Sequence, residues 1–244
     1  MNAAARLLVL RRPQYGPPGF SAAKLFEYWA EDCVATTALA QWNDRTGNGR
    51  HLVQAVAADQ PSVDVTSHAR GLKRVTFTAA DTEFLQTASF GGAVAQPITW
   101  FAVIDRDTLP ADGAVFKVWD GIDTTNRNYF DYQNTVPDAW RMGATTAQSH
   151  ASVEVASTAK LAVVACYNGA SSTSWIDGTE ITHGASTGTA GIDGVTLGTI
   201  WSEGSQFFNG GVYYLSAIGA VATAADKTKF AGWVNGFYGT GYGA

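Results

Sequence analysis

Ile98-Thr-Trp-Phe-Ala-Val-Ile104 decides how this chain folds. Apolar residues occupy both alternating faces of the stretch, the pattern of a strand at the centre of a sandwich, covered on both sides. Ala114-Val-Phe-Lys-Val-Trp119 follows after a turn carrying Pro110 and Gly113. Upstream, Val75 and Phe77 alternate with polar neighbours in Arg74-Val-Thr-Phe-Thr78, the period-2 mark of a strand with one wet face. Downstream, Lys160-Leu-Ala-Val-Val-Ala-Cys-Tyr167 leads through Asn168-Gly169 and a serine-rich loop to Thr173-Ser-Trp-Ile176, then turns at Asp177-Gly178. That is a hairpin pattern. Gly211-Val-Tyr-Tyr-Leu-Ser-Ala-Ile218 supplies a last strong strand.

One helix is expected after it. Phe230, Trp233, Val234, Phe237 and Tyr238 fall at the i, i+3, i+4, i+7, i+8 spacing of a buried stripe. Thr223 can cap its start with Asp226 three residues on, and Gly239 can end it. Many strands, one terminal helix and no βαβ alternation predict an all-β fold, a two-sheet antiparallel jelly-roll sandwich with a short C-terminal helix. The 244 residues, 46% of them hydrophobic, suffice for one core, and the low charged fraction of 15% suits strands joined by tight turns.

Residues 1–24 differ from the rest. Arg6, Arg11 and Arg12 precede Pro13, Gly16, Pro17, Pro18 and Gly19, a composition that blocks ladder bonds and predicts an extended arm ahead of a sandwich spanning 25–244. A frayed tail and an arm docking on other subunits both fit it. Leu7 to Leu10 is too short an apolar run for a signal-peptide core, and no stretch has the ~20 apolar residues of a membrane span. The net charge of −5 gives no global electrostatic attraction for nucleic acid. Cys33 and Cys166 both sit in apolar surroundings, which favours buried free thiols over a bridge.

Several segments together resemble the concanavalin A-like/laminin G-like superfamily, in the form found in bacterial and bacteriophage proteins. Gln41-Trp-Asn-Asp-Arg-Thr-Gly-Asn-Gly-Arg-His-Leu52, continuing to Gln54 and Gln60-Pro61, is similar to that family's opening turn and short strand. Gly71 to Phe77 with Asp81 to Leu85 resembles its next strand, with Thr78-Ala79-Ala80 in place of the usual glycine-bearing turn. Trp175-Ile-Asp-Gly178 and the run from Phe207 through Ile218 into the helix resemble later family elements. The resemblance implies two packed antiparallel sheets and, in many relatives, one calcium ion. It implies no single activity, because this fold carries lectins, glycosidases and virion proteins alike.

Function therefore rests on the residues. A retaining glycosidase needs two carboxylates about 5 Å apart. No Glu-x-Asp-x-Glu strand occurs, and Asp105-Arg-Asp107 runs into a loop where a solvated turn is expected. No catalytic residue is assigned. His51, His68, His150 and His183 are isolated, without zinc-site spacing. The best place for calcium is the turn holding Asp44 and Asn48. For a glycan, the candidates lie between Trp119 and Trp140. Trp119, Tyr129, Tyr132 and Trp140 offer flat rings, and Asp120, Asp123, Asn126 and Arg127 offer hydroxyl partners. The same rings alternating along strands also fit plain core packing.

These features together lead us to expect a non-enzymatic binding or structural protein. One form is a bacteriophage virion component, on head or tail, that touches other virion proteins or its own subunits through the arm and contacts cell-surface glycans. It would work in the virion or outside the cell. The alternative is a carbohydrate-active enzyme or its accessory carbohydrate-binding module.

Overall fold

The computed structural model describes residues 16–65, 71–134, 139–144, 149–151, 160–183 and 186–239. Two antiparallel sheets pack face to face. In spatial order the first comprises Thr179–Thr182, Thr173–Ile176, Leu161–Tyr167, Ile98–Arg106, Gly210–Ile218, Lys73–Phe77 and Ser62–Val65. Gly210–Ile218 spends its opening residues pairing with Lys73–Phe77 and its later ones with Lys24–Trp29. The second sheet runs Ser149–Ala151, Ala139–Ala144, Asn128–Gln133, Val115–Asp120, Thr196–Leu197, Leu85–Gln86, Leu52–Val53 and Gln41–Trp42.

The expected central strand is central: Ile98–Arg106 lies between Leu161–Tyr167 and Gly210–Ile218, and all nine of its residues are buried. Its two faces explain the double-sided apolar pattern. Ile98, Trp100, Ala102 and Ile104 point into the core between the sheets. Phe101 and Val103 point the other way, into a second core under the helix Ala224–Tyr238. That helix starts in the predicted capping box of Thr223 and Asp226, and Phe230, Trp233, Val234 and Tyr238 are its buried stripe. At the hairpin, Asp177 (φ 46°) and Gly178 (φ 92°) both take the positive angles of a tight mirror-image turn, which glycine adopts without steric cost. The Thr78-Ala79-Ala80 departure becomes a short 3-10 turn, Ala79–Asp81.

The arm expectation needs correcting at its inner end. Phe20 stacks on Phe101 with ring centroids 3.9 Å apart, Phe20 and Ala22 pack against the second core, and Lys24 already begins a strand. An apolar ring beside an apolar sheet face is buried rather than left in water, so residues 20–24 belong to the sandwich. Residues 1–15 lie outside the described residues. Both cysteines are free thiols, Cys166 buried and Cys33 partly so, with burial pushing the Cys33 thiol up to about 11. Among the described residues no helix is long and apolar enough to cross a membrane.

Candidate ligand groove

The rings expected to meet a sugar meet each other instead. Trp119 lies parallel to Trp100 at 5.0 Å and to Phe130 at 4.7 Å, and Phe130 lies parallel to Trp140 at 5.0 Å. This four-ring column joins the first sheet to three neighbouring strands of the second. Tyr132 meets Trp140 edge-on, and Trp119, Tyr132 and Trp140 have no exposed surface. Their faces are spent on core packing, which is worth more to a sandwich than an exposed ring. For these three residues the glycan expectation is therefore corrected.

The polar candidates are engaged with one another and with their own loop, Asp123, Asn126 and Arg127 lying between the strands Val115–Asp120 and Asn128–Gln133. Asp120 is fully buried and pairs with Arg127, which donates to both of its carboxylate oxygens. Burial pushes the Asp120 carboxyl up, against the pull of Lys117 and Arg127. Asp123 accepts from the backbone N–H groups of Thr125 and Asn126 and so shapes the loop between strands. Tyr129 is buried, with Lys117 over its ring at 4.0 Å and Arg127 at 4.9 Å.

Beside it stands a ladder that sequence reasoning missed. Lys117, Asp131 and Arg141 are direct cross-strand partners on adjacent strands, with Asp131 accepting from both cations. All three are buried, and Arg141 also bonds Gln133. Charges this enclosed need each other, so the network is an internal brace of the sheet.

No carboxylate pair stands free for hydrolysis where one was considered. Asp105 is buried at the end of its strand rather than in a solvated turn, which corrects that expectation. It accepts from Arg74, the Gly211 N–H and the Tyr213 hydroxyl, while Arg74 also holds Asp107.

The turn proposed for calcium has the wrong polarity for a cation. Asp44 accepts from the backbone N–H groups of Glu27, Thr46 and Arg50 and from the Thr46 hydroxyl. The Asn48 side chain donates its amide to the carbonyl of Leu25. Donor hydrogens already fill the space around Asp44, so Asp44 and Asn48 fit a turn organiser and do not fit a calcium cage. His183 is buried against Ser174. His68 lies outside the described residues, as does the side chain of His150.

What that turn does build is one wall of an open groove of about 620 Å³. Its lining includes Lys24, Gln41, Asn48, Arg50, His51 and Phe90. Gly47 and Gly49 take φ angles of 82° and 72°, letting the chain double back so that Arg50 and His51 follow directly. Leu25 accepts from the Arg50 guanidinium at 3.0 Å, and that guanidinium lies 3.9 Å from the Phe90 ring centroid. His51 accepts the Asp44 N–H at Nδ1, which puts the proton of the neutral ring on Nε2. The opposite wall is pinned by Asp193, which accepts from the N–H groups of Phe90 and Gly92 and from the Ser89 hydroxyl. The groove therefore joins an aromatic surface to amide, imidazole and guanidinium groups. His51 and Asn48 stood in the quoted opening turn, yet nothing in that turn announces Phe90, which arrives from 40 residues further on.

Compared by sequence, the chain matches no protein-family model and no curated protein. Its three-dimensional fold is shared with solved structures. Trypanosoma rangeli sialidase superposes over 89% of this chain with a TM-score of 0.57 and 13% identity, although this chain spans only 34% of that one. Domain 4 of AbnA, a GH43 extracellular arabinanase from Geobacillus stearothermophilus solved with arabinotriose, superposes over 86% of this chain and 98% of its own, at a TM-score of 0.60 and 11% identity. The binding domain of botulinum neurotoxin DC, in complex with SialylT, superposes over 88% of this chain and 52% of its own, at a TM-score of 0.60 and 9% identity. At such identities the likeness is one of fold, a lectin-like two-sheet β-sandwich.

Proposed function

We propose that this protein is a non-catalytic glycan-binding module and that the groove between Asn48 and Phe90 receives the sugar. The observation that carries this reading is the composition of the groove. An aromatic ring with a guanidinium laid on it lies among exposed Gln41 and Asn48 and half-buried His51, the mixture of apolar surface and hydroxyl partners that saccharides need. Structural neighbours solved in complex with arabinotriose and with SialylT support it by analogy of fold.

The test is titration calorimetry of the full chain with a panel of neutral and acidic oligosaccharides, repeated with Gln41→Ala, which changes an exposed side chain. Saturable binding weakened by this substitution is expected. Absence of binding across the panel, or binding indifferent to Gln41→Ala and Phe90→Ala alike, overturns the reading.

Kinship with bacteriophage laminin G-like domains, and a place in the virion, belong to the same proposal and rest on the sequence motifs. Mass spectrometry of purified particles tests that placement. The enzymatic alternative predicts polysaccharide cleavage that Asp105→Asn with Asp107→Asn abolishes; we expect the wild type to cleave none.

A further inference from the structure

We infer that the groove selects a carboxylate-bearing sugar and that the Arg50 guanidinium is its anion receptor, a deepening that rests on the glycan reading above. The Arg50 side chain lines the groove without a carboxylate of its own. Arg45, Arg74, Arg127 and Arg141 each meet a carboxylate within ion-pair distance, whereas Arg50 meets none among the described residues. Among the described residues no Asp or Glu lines the groove, and its other fixed cation, Lys24, is already neutralised by Glu27. Asp44 and Asp193 stand behind the lining, their oxygens engaged by backbone N–H and hydroxyl donors.

A guanidinium has five N–H donors, and among the described residues the side chain of Arg50 uses one group, on the carbonyl of Leu25. That bond and the Phe90 ring beneath hold the plane in place, so its donors are fixed before a ligand arrives. A planar fork of this kind matches a carboxylate, which accepts two parallel N–H bonds. His51 lines the same groove and brings an Nε2–H with no protein acceptor among the described residues, a neutral donor suited to a neighbouring hydroxyl. A sugar carrying one carboxylate on its ring would use the guanidinium, the imidazole N–H and the Phe90 edge together.

The experiment compares matched ligands: sialyllactose against lactose, and galacturonic acid oligomers against their carboxyl-reduced counterparts, by calorimetry at about 50 and 300 mM salt. The expected result is that at least one acidic ligand binds about tenfold or more tighter than its neutral partner, as a charge-assisted bond implies. The preference should shrink at high salt and vanish in Arg50→Gln. Arg50→Lys, which keeps the charge and loses the fork, should retain only part of it.

Thermal melts of both variants verify folding. If a variant melts early, the wild-type comparison of acidic and neutral partners under salt still decides. Equal affinity for acidic and neutral partners, still sensitive to Gln41→Ala, overturns the acidic selectivity while leaving the glycan reading standing. Sulfated lactose bound as tightly as sialyllactose would overturn the carboxylate assignment in favour of general anion attraction. No binding of any ligand overturns both.

Discussion

Ser21 donates its backbone N–H to one carboxylate oxygen of Asp226 at 2.7 Å and its hydroxyl to the other at 2.6 Å. Asp226 also accepts from the N–H and hydroxyl of Thr223, so one carboxylate caps the helix and ties down the start of the sandwich. Burial alone would raise its pKa, but these bonds outweigh it and hold the carboxyl at about 2. A carboxyl below its unfolded value of about 3.9 stabilises the fold above that pH and loses the contribution as pH falls toward 2. Asp226→Ala should therefore cost about 1–2 kcal/mol at pH 7. Urea melts at decreasing pH should show the gap to wild type narrowing below pH 4.

Phe20→Ala tests whether residues 20–24 belong to the sandwich. The ring stacks on Phe101 and lies beneath the Lys24 ammonium at 5.2 Å. Loss of a half-buried aromatic contact should lower stability of the isolated domain by about 1–2 kcal/mol. An unchanged melt would mean that the segment is loose, as a free arm would be.

Asp131→Asn removes the shared partner of Lys117 and Arg141. Both cations then lose their shared carboxylate inside the sheet, a change expected to cost about 3–5 kcal/mol. Chemical denaturation measures it. Replacing all three residues with apolar ones of similar size should recover most of the loss, since what hurts is the orphaned charge.

Asp177 carries the opposite pH signature to Asp226. Burial pushes its carboxyl up to about 6, although the Ala162 N–H donates to it at 2.7 Å. A raised carboxyl favours the fold only while protonated, so stability is lost as pH climbs from about 4 through about 6. Asp177→Asn keeps the acceptor and gives Asn-Gly, the preferred pair for this turn. The variant should gain about 1 kcal/mol at pH 8, discounted for partial solvent screening, and nothing at pH 4. Melting temperatures across that range measure the gain.

Much of the architecture was legible because its causes are local. The two-sided apolar run Ile98 to Ile104, the Asp177-Gly178 turn and the Thr223 capping box each depend on residues within a few positions of one another. The groove was only half legible. The Asp44 to His51 turn is continuous in sequence, but Phe90, and the lack of an acid among the described residues lining the groove, are facts about which loops the fold brings together.

The strong strands, the terminal helix and the two-sheet class could be read from the amino-acid sequence, since periodicity and turn chemistry act within a window of a few residues. Which side chains face the core was settled only in three dimensions. Strict alternation would put Lys117 and Trp119 on one face, yet the ladder to Asn128–Gln133 shifts register between them. That irregularity sends Lys117 out to Asp131 and Trp119 in to Trp100. An extra residue on one strand reverses the facing of everything beyond it, and where it falls depends on pairing with a partner strand. Trp119, Tyr132 and Trp140 became core, and the ligand groove passed to a turn and a loop brought together by the fold.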